Sequence, residues 1–134
     1  MIPIKDVTDD DDQGRRLLAD VGVRTIEQLI ERGATAASRM TLSDESHLDV
    51  EVIRGWVHRA DLLRISGIGP GLARLLCLTG VCTTPKLAYR STGSLYAELS
   101  EMNAKTHLVS MLPSPAELHE MITQAKRLPK LIYH

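Results

Sequence analysis

The chain repeats itself, and that constrains its fold more than any other feature. Residues 15–32, RRLLADVGVRTIEQLIER, realign on residues 73–90, ARLLCLTGVCTTPKLAYR, at a constant shift of 58 residues. The shift pairs Arg16 with Arg74, Leu17 and Leu18 with Leu75 and Leu76, Gly22 with Gly80, Val23 with Val81, Thr25 with Thr83, Leu29 with Leu87, and Arg32 with Arg90. Self-similarity at a fixed period means that one supersecondary unit has been used twice. In each copy an apolar run at helical spacing stops at a glycine, which can take the positive φ that closes a helix C-terminus. A threonine follows that can accept from the first N–H groups of the next helix. Thr25 with Gln28 has the capping-box spacing, and in the second copy Thr83 and Thr84 are both candidate caps, because Pro85 is well tolerated at a helix start.

Each copy continues through a short helix, expected at residues 34–43 and 94–103, and closes with a longer one. The first long helix, residues 49–65, places Val52, Ile53, Trp56, Val57, Ala60 and Leu63 at helical spacing, so Trp56 reads as core. The last, residues 115–128, opens on Ser114-Pro115-Ala116-Glu117, a capping box with proline at the first position, and presents Leu118, Met121, Ile122 and Ala125 to the core before Pro129 ends it. Alternating runs rich in β-branched residues are missing beyond the first few positions. The fold class is all-α: two diverged helical repeats, residues 1–65 and 66–134, packed as one domain.

Composition agrees. With 134 residues, 43% of them hydrophobic and 25% charged, the chain can bury a core without metal or disulfides. The aromatics are Trp56, Tyr89, Tyr96 and Tyr133, with no Phe, so the core rests on Leu, Ile, Val, Ala and Met, which suits helices. No apolar run approaches the roughly 20 residues that cross a bilayer, and the opening residues lack a signal-peptide pattern, so a cytoplasmic protein without a membrane partner is expected. Cys77 and Cys82 are then expected as thiols, one in a helix and one just after it. A net charge of −1 argues against bulk electrostatic coating of nucleic acid. Any such contact must be local.

The segment from Asp61 to Leu76, DLLRISGIGPGLARLL, resembles the helix-hairpin-helix motif, in which glycine, aliphatic residue and glycine join two helices sharing an apolar seam. Gly67 and Gly69 permit the tight turn, Ile68 plugs the gap between the helices, and Pro70 starts the second one. Unpaired N–H groups at that helix start, with the helix dipole behind them, suit a phosphate. The resemblance implies binding of the DNA backbone without sequence preference, in some members with a monovalent cation held by hairpin carbonyls, and a duplex straddled by two hairpins in tandem. Beyond the first ten residues the whole chain also resembles an uncharacterised prokaryotic domain-of-unknown-function family with two such repeats, which end in patterns such as Trp56-Val-His-Arg-Ala-Asp-Leu62. In the first copy, Asp9, Asp10, Asp11 and Asp12 hold the place of Gly67, Ile68, Gly69 and Pro70. That hairpin is degenerate, since carboxylates repel phosphate and read most simply as a solvated helix start.

The five histidines show no i, i+4 pair and the two cysteines no partner pair, so neither metal nor other cofactor is expected. The glycine-rich turn is too short, and follows a helix rather than a strand, for dinucleotide binding. No catalytic constellation is nominated, so an enzyme is not expected. Residues 107–115 are apolar for a connection and lengthen the second copy by seven residues relative to the first, aligning Ala60 with Ala125. Leu108, Val109, Met111 and Leu112 could pack on the last helix or form a partner surface. The expected function is a non-enzymatic module that binds DNA or RNA backbone through Gly67, Ile68, Gly69 and Gly71, assisted by Arg64 and Arg74. The alternative is a protein-interaction or self-association adaptor whose hairpins serve packing alone.

Overall fold

A computed structural model describes residues 2–8 and 11–133. They are all-α: helices joined by turns, with one isolated bridge between Pro3 and Thr25 and no strand among the described residues. They group into two compact units, Met1–Asp61 with Leu131–His134, and Leu62–Lys130. No described helix is long and apolar enough to cross a membrane.

The first unit opens with a single turn, α1 (Lys5–Thr8), which periodicity does not reveal because one turn, burying Val7 and Thr8, is too short to repeat a pattern. Two backbone bonds seat it beside the third helix, Ile4 N–H to Arg24 O at 3.3 Å and Ile26 N–H to Ile2 O at 3.1 Å. The next helix, α2 (Asp12–Asp20), is capped by Asp11, whose carboxylate accepts from the Gly14 N–H at 2.8 Å. Asp9 and Asp10, the other half of the acidic run, lie outside the described residues. Thr25 and Gln28 form the expected capping box of α3 (Ile26–Arg32). A second box, Thr35 with Ser38, starts α4 (Ala36–Ser46), which runs on to a left-handed His47 at φ 65°. The longer helix α5 (Val50–Leu62) buries Ile53, Trp56, Val57 and Ala60. Val52 does not join them: it lies on the edge of the apolar stripe in the first turn and is 42% exposed. The helix also stops short of residue 65, because Ile65 N–H turns back to Leu62 O at 3.1 Å.

Arg39 closes this unit by a route with no sequence signature. Its guanidinium is buried and donates to Gly33 O at 2.8 Å and to Tyr133 O at 3.0 Å. Tyr133 N–H donates in turn to Ala34 O at 2.7 Å, and Ile132 is buried beside it. Desolvation, and then the nearby Arg54, lower the Arg39 pKa from the ordinary arginine value.

The second unit contains α6 (Pro70–Leu78), α7 (Thr84–Ala88), α8 (Thr92–Thr106) and α9 (Pro115–Arg127). Helix α6 begins and ends 58 residues after α2, and α9 begins and ends 65 residues after α5. The local geometry repeats as well. Gly22 and Gly80 both stand at φ 88°, and Thr25 and Thr83 share extended cap angles, φ −130° and −136° with ψ 161° and 160°. The cap of α7 is thus Thr83, accepting from Lys86 N–H, rather than Thr84. The main departure is α8, 15 residues against 11 in α4, which starts earlier and ends later than the expected 94–103 and closes on a left-handed His107. Leu75, Leu76, Leu87, Leu95, Leu99, Leu118 and Ile122 fill the core, with α7 and α8 packed on α9 and α6 on α8. Ser114 and Glu117 complete the capping box that starts α9.

Candidate nucleic-acid interface

The glycine turn of the second unit is held from two sides. Ile65 and Ile68 N–H bond back to Leu62 and Ile65 O, both at 3.1 Å, so the chain leaves α5 in successive tight turns. Gly67 takes φ 97°, a conformation that an L side chain adopts only with strain. From the other side Gln124 on α9 pins both backbone groups of Ser66, accepting its N–H at 3.0 Å and donating to its O at 3.3 Å. Nothing in the sequence singled out Gln124, because its partner lies 58 residues away. Ile68 is 6% exposed, buried as the pin of the turn. Gly67, Gly69 and Pro70 are exposed.

The start of α6 is chemically open. Gly69 is the N-cap, at φ −97° and ψ −177°, and no side chain caps it. Pro70 has no N–H, so the donors left over by the helix are those of Gly71 and Leu72. In the first unit, at the same place in the repeat, Asp11 stands where Gly69 does and bonds the Gly14 N–H, the counterpart of Leu72. A carboxylate therefore already occupies the anion position of α2, while α6 has no side-chain cap at the corresponding place.

Leu108 and Val109 lie beside this opening. Asn103, in the last turn of α8, pairs with Val109 in both directions, donating to its O at 3.0 Å and accepting its N–H at 3.1 Å, which ties the connection back to α8. A Cβ at Gly71 would stand 2.9 Å from Leu108 O and 3.2 Å from Val109 Cγ1. The close approach that Gly71 permits is thus to the chain's own backbone. Gly67, Gly69, Gly71, Val109, Met111 and Leu112 share one open groove of about 390 Å³ with Glu117 and Met121. The two residue sets that the sequence suggested separately are neighbours. Leu108, Val109 and Leu112 are half-buried, whereas Met111 is 84% exposed.

The two arginines differ. Arg64 is half-buried and donates to Pro129 O at 2.9 Å, so it already ties the two ends of the second unit together. Arg74 is exposed on α6. Charge is divided between the units: residues 62–130 carry eight Lys and Arg against four Glu, a formal +4, and the remainder carries eight against thirteen acids, a formal −5. The overall −1 conceals a basic unit, and that unit contains the open helix start. Among the described residues no group of three His, Cys, Asp or Glu stands close enough to share a metal ion.

One family model matches the chain, described as Domain of unknown function (DUF4332), and it covers residues 11–128, from the Asp11 cap of α2 through α9. No curated protein and no solved structure matches.

Proposed function

The chain belongs to the DUF4332 family, and we propose that its two units are tandem helix-hairpin-helix repeats, of which the second binds nucleic-acid backbone without sequence preference and without catalysis. The observation that carries this reading is the uncapped, exposed start of α6 in a unit of charge +4, set against the acid-capped start of α2. A phosphate oxygen at the Gly71 and Leu72 N–H groups would receive two backbone hydrogen bonds along the helix dipole. Arg74 adds a cation one turn further along α6. Backbone donors recognise a phosphate without reading a base, hence the lack of sequence preference. The first unit supplies no second phosphate site, because Asp11 fills it.

Fluorescence anisotropy of labelled duplex and single-stranded DNA, at low and at physiological salt, tests the reading. Duplex affinity should fall steeply with salt, the logarithmic slope being about 0.9 per phosphate neutralised. It should also fall in Gly69→Asp. If the wild type binds neither probe at low salt, the reading fails. One observation favours a second reading, in which the chain is an interaction or self-association adaptor: Met111, 84% exposed, overhangs the groove at α6. Sedimentation that detects a dimer dissociated by Met111→Asp would favour it.

A further inference from the structure

We propose that the second unit carries another nucleic-acid site, a groove between α7 and α9 that takes a single strand by stacking a base on Tyr89 and seating the adjoining phosphates on Lys126 and Lys130. The groove, of about 650 Å³, is larger than the one at α6. Tyr89, the C-cap residue of α7, is 91% exposed, the most exposed large hydrophobic side chain described. A tyrosine ring that stands clear of the packed core has its face open to a stacking ligand. Its surroundings give the ligand a sign. Arg90, Lys126 and Lys130 line the groove and no Asp or Glu does. Arg90 is committed to Glu98 and to Ser94 Oγ, and both Lys126 and Lys130 are exposed at the rim.

The repeat supplies an internal comparison. At the 58-residue shift Glu31 stands where Tyr89 does, and at the 65-residue shift of the last helix Asp61 stands where Lys126 does. Arg90, by contrast, keeps its counterpart: Arg32 pairs with Glu45 at 2.8 Å as Arg90 pairs with Glu98. The packing role of the arginine is thus common to both copies, while the aromatic platform and its cation belong to the second alone. Aromatic ring, flanking cations and an open groove are what a single strand requires, since every base offers a π-face once it is unpaired. A duplex keeps its bases stacked and cannot use Tyr89. This site does not depend on the α6 start.

The test is anisotropy of a labelled oligothymidylate about 10 nucleotides long at low salt, with Tyr89→Ala, Tyr89→Phe and Lys126→Glu beside the wild type. Tyr89→Ala should weaken binding by about 5- to 150-fold, the worth of one stacked base. Tyr89→Phe should stay near wild type, and Lys126→Glu should weaken binding. Duplex affinity should not respond to Tyr89→Ala, so failure here and failure at the α6 start read out on different probes. Equal binding by wild type and Tyr89→Ala would overturn the proposal, as would no binding by wild type. Equally tight binding of a labelled polyglutamate would also overturn it and assign the groove to acidic peptides.

Discussion

Gly69→Asp should stabilise the fold while removing the proposed phosphate site. Gly69 has extended backbone angles that any residue adopts, and a Cβ there meets nothing within 4 Å. The new carboxylate is thus free to do for α6 what Asp11 does for α2, accepting from the third helical N–H, that of Leu72. Replacing a glycine cap with aspartate is worth a few tenths of a kcal/mol. The favourable charge at a helix N-terminus adds about 0.3–1 kcal/mol. Glu117 lines the same groove and opposes this through like charge, but it is fully exposed and well screened. The net gain is about 1 kcal/mol, which for a chain of this size raises Tm by about 3–6 °C. In the same variant duplex affinity should drop, because the donors are occupied and the added charge repels phosphate. Gly69→Asn, which caps without charge, should also stabilise but should cost less affinity. Differential scanning calorimetry and anisotropy on the three proteins decide the matter. A lower Tm in Gly69→Asp would refute the open-cap geometry, and unchanged affinity would refute the phosphate site.

Other outcomes follow from individual contacts. Gly71→Ala places a methyl 2.9 Å from Leu108 O, so the 107–113 connection must shift; loss of stability of about 1–3 kcal/mol in urea melts, with increased proteolysis near Met111, is expected, and full wild-type stability would contradict the packing. Arg39→Met removes two charge-assisted donors and strands Gly33 O and Tyr133 O, a loss of about 2–4 kcal/mol measurable by chemical denaturation. Glu117 has its pKa lowered by the backbone N–H and then the hydroxyl of Ser114, so its part of the α9 cap is present at neutral pH and lost as pH falls through its folded value, below the ordinary glutamate range. Glu117→Gln should flatten the acid limb of the Tm-against-pH curve.

Local chemistry was largely legible in the sequence, and long-range closure was not. The repeat could be read because residue types recur at one constant shift, and the caps at Thr25 and Ser114 because each depends on residues within four positions of one another. The same holds for the turn at Gly67 and the burial of Trp56. The Arg39 clamp on Tyr133, the Gln124 hold on Ser66 and the seat of Leu108 on Gly71 could not, because each joins residues far apart whose side chains have no special pattern. The Tyr89 groove was hidden for a related reason. It appears only once α7 and α9 are packed and the two copies can be compared position by position. The charge division became visible only when the unit boundaries, at Asp61 and Lys130, were known.

Those boundaries also make the second unit an insertion: the chain leaves the first unit at Asp61 and returns to it at Leu131. The contact between Arg39 and Tyr133 closes a loop 94 residues long, an entropic cost that a flexible chain would bear in full. The folded insertion reduces it, because Arg64 and Pro129, near its two ends, are already held at 2.9 Å and most of the loop is rigid. Folding of the inserted unit thus raises the effective concentration of the returning tail at Arg39. Damage to α6–α9 should be felt in the first unit as a loosened tail, even where no first-unit residue has changed.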